Sequence, residues 1–271
     1  MSKKNFFIQP IQCACVITLL FVSMTNYLQS VQAQLPNSNQ NRDKNSQFQA
    51  VQPPKLPRNG APTGRRRAGA GRNPECPSSL TRLTALVPGE QGKSILSSTL
   101  AENPTFWFYV PQLPETSRSA EFVLHLSQNG RDVENVYRKT LILSEKPGII
   151  SLTLPSDPQY SLKGNQKYHW YFHIYCGDLQ KTSDNFYVDG FVQRQLLTQA
   201  LDTQLKAAKP RQYFAYSANN IWYDAVTNLG QLRHTKPQNA TINQDWVDLL
   251  NLMGLSDLVK EPIVQHYNLE K

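Results

Sequence analysis

The residues best placed to do chemistry lie in one run, KYHWYFHIYC at positions 167–176. A β-strand sends successive side chains to opposite faces of its sheet. Tyr168, Trp170, Phe172, Ile174 and Cys176 then share one apolar face, and His169, Tyr171, His173 and Tyr175 the other. Two imidazoles and two phenols in a row offer hydrogen bonds and ring faces, the equipment of a platform for a sugar or a peptide. They do not offer a shared metal, because four residues of strand at roughly 3.3 Å each hold His169 and His173 too far apart. His125, on the alternating set Glu121, Val123, His125 and Ser127, could supply a His–His or His–Glu metal pair across strands. The competing reading is a sheet face covered by linker or helices, with Trp107 and Trp170 in the core.

Other chemistries have less to stand on. No G-x-S-x-G nucleophile motif occurs, and no histidine has a local acid–base setting. Asp224 and Asp245 sit near tryptophans at helical positions and invite reading as a carboxylate pair. Nothing in the sequence fixes their separation, and cap or salt-bridge roles are the alternative. The glycines of 60–71 lack the strand and helix that a phosphate loop needs. No cofactor is expected.

The elements that must position these residues are short apolar runs at 80–87, 94–100, 105–110, 120–126, 135–143, 149–154, 167–176 and 185–194. Asn129-Gly130 marks a hairpin, and Pro147-Gly148 and the 155–158 cluster mark further turns. Pro104 and Pro111 bracket FWFYV, where a strand must stop donating ladder bonds. Seven or eight strands at this spacing predict an antiparallel β-sandwich. Leu162 to Tyr168 resembles the tyrosine corner of fibronectin type III domains, which makes Tyr168 a structural residue whose hydroxyl donates to nearby backbone. The expected fold is therefore mainly β, a fibronectin III/Ig-like antiparallel sandwich, followed by three or four helices.

After Arg194 the apolar period changes from two to about 3.6. Leu197, Leu201, Leu205 and Ala208 make one stripe, closed by Pro210. Trp222, Ala225, Val226, Leu229 and Leu232 make a second, capped by Asn219 or Asn220. Trp246, Leu249, Leu250 and Met253 make a third, capped by Thr241 or Asn243 and stopped at Gly254. Ser256 is expected to cap a short fourth segment before Pro262. One stripe per helix predicts packing on each other and on the sandwich.

The N-terminus sets the address. Lys3 and Lys4 precede an apolar run at 11–24, and Val31-Gln32-Ala33 has the small-residue pattern of a cleavage site. We read 1–33 as a signal peptide, its apolar run shorter than the roughly 20 residues that span a bilayer, with an uncleaved anchor as the alternative, and expect no stable membrane span after its removal. The mature chain keeps two cysteines, Cys76 and Cys176, without CxxC or metal-ligand spacing, which predicts a disulfide in an oxidising compartment. Residues 34–75 are rich in Gln, Asn, Pro, Gly and Arg and are expected to be a disordered basic linker. Within it Arg65, Arg66 and Arg67 either attract an anionic envelope surface or simply keep the linker solvated. The formal charge of +8 is concentrated here: from Cys76 onward 18 basic residues balance 18 acidic ones, which argues against a nucleic-acid partner. The domains expected are thus 1–33 leader, 34–75 linker, 76–194 sandwich and 195–271 helical extension.

Several stretches together resemble a family of exported cyanobacterial proteins known only as domain of unknown function 928. They are LTALVP at 83–88, AENPTFWFYVP at 101–111, AEFVL at 120–124, PGIISL at 147–152, YHWYF at 168–172, IWYDA at 221–225, and Asp245-Trp246 followed by Leu249-Leu250. The resemblance covers roughly 76–264. It implies a cyanobacterial source, export, and a sandwich followed by helices, and it carries no activity. The function expected from these observations is an exported, periplasmic or extracellular, non-catalytic protein-interaction or envelope-adaptor module. The alternatives are a carbohydrate-binding module using Tyr171, His173 and Tyr175 on wall or matrix glycan, and a hydrolase whose site is assembled from distant residues.

Overall fold

The computed structural model describes residues 62–69, 76–176 and 185–269. The expected signal peptide at 1–33, and the parts of the expected linker at 34–61 and 70–75, lie outside these residues. The described chain is mainly β, with four helices toward its C-terminus.

The strands are β1 (Thr63–Arg65), β2 (Thr84–Ala85), β3 (Gly89–Glu90), β4 (Lys93–Ile95), β5 (Ser97–Thr99), β6 (Thr105–Val110), β7 (Ser119–Gln128), β8 (Arg131–Ile142), β9 (Gly148–Thr153), β10 (Lys167–Tyr175) and β11 (Asn185–Arg194). The helices are α1 (Gln199–Ala207), α2 (Tyr213–Ala218), α3 (Trp222–Thr235) and α4 (Ala240–Leu252), and β12 (Ile263–Asn268) closes the chain. Three sheets result: a five-stranded one in the order β5-β11-β10-β7-β8, a four-stranded one in the order β12-β9-β6-β2, and a small one in the order β1-β4-β3.

The alternation in β10 does what its pattern dictates. Tyr168, Trp170, Phe172 and Ile174 are buried, while His169, Tyr171 and His173 are half-buried on the other side. The two larger sheets meet through aromatic pairs: Phe108 stacks on Phe172 with ring centroids 4.4 Å apart, and Phe106 lies 4.8 Å from Phe122. Cys176, at the end of β10, is disulfide-bonded to Cys76. Leu162 and Tyr168 are both buried at the corner leading into β10.

Helices α3 and α4, with Tyr213 of α2, pack on the outer face of the four-stranded sheet, while Leu201 and Leu205 of α1 pack against Ile221 and Leu100. Trp107, Tyr109 and Ile149 of that sheet share a core with Trp222, Val226, Leu229, Trp246, Leu249 and Leu250. Gly230 permits the approach, since a Cβ there would lie 2.6 Å from the Trp107 ring. Trp107 Nε1 donates to Thr227 Oγ1 at 3.0 Å. The outer face of the five-stranded sheet is on the opposite side of the molecule from this helical layer.

Two expectations about the ends of the fold are corrected. The segment after 195 is not helical throughout, because β12 pairs in parallel with β9 along Ile263 to Asn268. A six-residue strand has no pattern strong enough to announce itself beside three helical stripes. Residues 62–69, expected in the disordered linker, form β1 and a buried turn. Arg66 is 4% exposed, and its guanidinium donates to the carbonyls of Met253 at 2.6 Å and Gly254 at 3.2 Å. A cation at a helix C-terminus meets the carbonyls left without partners there. Arg67 pairs with Asp257 at 2.6 Å, and the Arg65 guanidinium lies over the Tyr187 ring at 4.5 Å.

Several boundaries also move. The run 80–87 is a 3-10 turn at Ser78–Arg82 followed by β2, and 94–100 is divided between β4 and β5. The α4 cap is Asn239, which accepts from Ile242 N at 3.0 Å, not Thr241 or Asn243. The helix α3 begins after Ile221 without a side-chain cap, and Leu197 is exposed ahead of α1.

Candidate functional site

The register of the five-stranded sheet assembles the outer face of β10. His169 stands opposite His125 of β7 and Phe191 of β11; Tyr171 opposite Val123 and Asp189; His173 opposite Glu121 and Tyr187. From the far side of β7, Asp132 and Arg138 of β8 reach the same surface. Cross-strand neighbours lie within side-chain reach, so one strand's alternation recruits three others.

His169 holds the centre. Its Nδ1 lies 3.1 Å from Asp132 Oδ1 and its Nε2 lies 2.9 Å from Asp189 Oδ2. Its ring stacks on Phe191 with centroids 4.0 Å apart. The Tyr171 hydroxyl sits 3.0 Å from both Asp132 Oδ2 and His169 Nδ1. Burial, then the Asp132 carboxylate, hold the Tyr171 phenol protonated well above its ordinary range. Tyr175 donates to Glu121 Oε2 at 3.0 Å, and Glu121 also pairs with Arg138 at 2.7 Å. Burial and Glu121 push Tyr175 up to about 12. Burial lowers the pKa of the His173 imidazole. The rings of Tyr171, His173 and Tyr175 stand nearly parallel along the strand, with interplanar angles of 18° and 17°.

Chemically this is a surface of fixed donors, acceptors and ring edges. The Tyr171 and Tyr175 phenols donate to the carboxylates of Asp132 and Glu121. Among the described residues no three His, Cys, Asp or Glu side chains converge as metal ligands would. His125 makes an edge contact with Tyr171 at 5.9 Å instead.

Two shallow clefts open onto the face. One of about 230 Å³ is lined by Tyr171, His173, His125, Asp132, Arg138, Val123 and Tyr187. The other, about 390 Å³, lies between β1, the β3–β4 turn and β11, and Tyr187 lines it too. Tyr187, Asp189 and Asp132 were not singled out from sequence. The alternation of NFYVDGFVQR was the available signal for the first two.

The remaining candidates fall elsewhere. The Tyr168 hydroxyl accepts from Lys163 N at 2.8 Å and donates to Gln166 Oε1 at 3.2 Å. It is therefore an acceptor from backbone, the reverse of the expected direction. Asp245 is buried and bonded to Arg211 at 2.6 Å and to the Tyr213 hydroxyl, bracing α4 against the start of α2. Asp224 accepts from Leu100 N at 3.1 Å, and burial pushes its carboxyl up to about 6. These two acids serve different packing networks and do not form a catalytic pair. Ser151 Oγ lies 2.5 Å from His266 Nδ1, a contact sequence reasoning missed because it joins β9 to β12. Ser151 is buried, and among the described residues no carboxylate bonds that imidazole. No helix among the described residues is long and apolar enough to cross a membrane.

The family model described as Domain of Unknown Function (DUF928) matches residues 67–263. The comparisons with curated proteins and with solved structures return no match.

Proposed function

Because the chain belongs to this family, whose description assigns no activity, we propose a function from its own site: an exported, non-catalytic interaction module of the cell envelope that binds through the outer face of the five-stranded sheet. The observation that carries this reading is the bonding pattern on that face. Its polar groups hold one another in place, with His169 between Asp132 and Asp189. The leader at 1–33 and the Cys76–Cys176 bond support export to an oxidising compartment. A cyanobacterial source, taken from the family resemblance, belongs to the same proposal.

A fibronectin III-like relationship for the sandwich is part of this reading. It is supported by β2, β6 and β9 facing β11, β10, β7 and β8, and by the tyrosine at the corner before β10.

The test is recovery of the tagged mature protein from native envelope extracts after mild cross-linking, beside a Tyr171→Ala variant. A defined partner that survives high salt with the wild type and is lost from the variant supports a module acting through this face. Turnover of a substrate by the purified protein would reject the non-catalytic reading.

A second reading, carbohydrate binding, is favoured by one observation: the near-parallel rings of Tyr171, His173 and Tyr175 are flanked by the carboxylates of Glu121, Asp132 and Asp189. Rings and acceptors so arranged suit a flat, hydroxyl-rich ligand.

A further inference from the structure

The cleft between β1, the β3–β4 turn and β11 holds two cations on neighbouring strands. In the antiparallel pair of β1 and β4 Arg65 stands directly opposite Lys93. Side chains so opposed emerge on the same face of the sheet, and like charges there repel. Neither cation meets a carboxylate among the described residues. The Arg65 guanidinium rests over the Tyr187 ring at 4.5 Å, and Lys93 is exposed. Both line the cleft of about 390 Å³. The acid that lines it with them, Asp189, is otherwise engaged: Oδ1 accepts from Arg65's own backbone N–H at 3.0 Å, and Oδ2 faces His169 Nε2 at 2.9 Å. Two cations held side by side by backbone register, one seated on an aromatic ring, make a subsite for an anion on the side of Lys93 away from Glu90, its other register partner.

Tyr187 then connects that subsite to the second cleft, where the Tyr171 ring, His173 and Asp132 stand. We infer that this face binds an acidic polysaccharide, with a uronate carboxylate or a sugar sulfate between Arg65 and Lys93 and the adjoining sugar unit beyond Tyr187, its hydroxyls on Asp132 and His173. The inference rests on the carbohydrate reading above and names its ligand class. An acidic peptide fits the cation pair alone. The second cleft favours the sugar, because Asp132 and His173 offer hydrogen-bonding groups beside the Tyr171 and Tyr187 rings.

The test is affinity electrophoresis of the exported chain in native gels containing polygalacturonate or neutral dextran, with polyaspartate as a soluble competitor. Polygalacturonate should retard the wild type, less so as salt rises. The Arg65→Gln/Lys93→Gln double variant should bind about tenfold more weakly or worse, and Tyr187→Ala should also weaken binding while keeping every charge. Lys93→Gln alone, on an exposed side chain, keeps the test available should the others fold poorly. Equal retardation of wild type and Tyr187→Ala would assign the attraction to diffuse charge, such as the other basic residues of 34–75, and overturn the inference. Equal retardation by dextran, or competition by polyaspartate as strong as by oligogalacturonate, would overturn the acidic-sugar assignment while a Tyr171-dependent partner in envelope extracts left the module reading intact. Retardation in neither gel would remove the carbohydrate reading as well.

Discussion

Trp170 of β10 donates its indole N–H to the hydroxyl of Tyr223 at 2.7 Å, and that hydroxyl donates onward to the carbonyl of Phe191 at 3.2 Å. Tyr223 belongs to α3, yet its ring lies in the core between the two large sheets, 5.5 Å from Phe106. The helical layer is thus keyed into the sandwich by a polar chain closed inside apolar surroundings. Such a chain is stabilising only while every member is satisfied. The two parts of the described fold should therefore lose structure together.

Tyr223→Phe tests this directly. It leaves the Trp170 N–H buried without an acceptor, which costs about 1–3 kcal/mol. Urea unfolding followed by tryptophan fluorescence and by far-ultraviolet dichroism should give one coincident, lowered transition. Separate transitions for helix and sheet would mean that α3 is only loosely attached.

The Cys76–Cys176 bond closes a sequence separation of 100 residues. A cross-link over so long a loop constrains the unfolded chain, and its removal costs about 2–5 kcal/mol. Replacing both cysteines by serine should lower the melting temperature, and reductant should lower that of the wild type to match. Identical melting with and without reductant would show that the bond contributes nothing.

Asp224 predicts a pH dependence. Its carboxyl is raised from 3.8 to about 6 by burial, against hydrogen bonds from Thr99 and Leu100 that lower it. The native state thus binds the proton more tightly than the unfolded chain, and this group's contribution to stability falls as pH rises between about 4 and 6. Asp224→Asn removes the titration. The variant's stability relative to wild type should improve by up to about 3 kcal/mol between pH 3.5 and pH 7. A difference that does not change with pH would exclude the shift.

What was legible in the sequence followed from local pattern. The alternation of KYHWYFHIYC named both faces of β10, and Cys76 and Cys176, the two cysteines outside the N-terminal apolar run, named their own bond. What was not legible came from partners distant in sequence. Asp132, Tyr187 and Asp189 reach His169 and Tyr171 through strand register, which no single strand specifies. The strand β12 exists as a partner of β9, and β1 through its pairing with β4. The Arg65–Arg67 run read as uniform charge because composition cannot say which arginine meets a ring, which a helix end and which a surface acid.

Those three arginines give the most discriminating prediction, since a solvated charge run would treat them alike. Arg66 is buried, with its charge lowered to a pKa of about 10 by burial and then by Arg67, and its donors hold the carbonyls after α4. Arg66→Ala removes charge-assisted bonds and leaves those carbonyls unpaired, at about 2–3 kcal/mol. Arg67 makes a partly exposed pair with Asp257, whose carboxyl is lowered chiefly by that hydrogen bond. Exposed pairs are worth little, so Arg67→Ala should cost under about 1 kcal/mol. Arg65 faces Lys93, and its replacement by alanine relieves a repulsion while losing only its contact with Tyr187. Its effect should be near zero or slightly stabilising, by roughly 0.2–1 kcal/mol. Chemical denaturation of the three variants therefore separates the roles. A large loss on Arg66→Ala alone places the middle arginine in the fold and frees its neighbour Arg65 for a ligand. Equal small losses at all three positions would return the run to solvent.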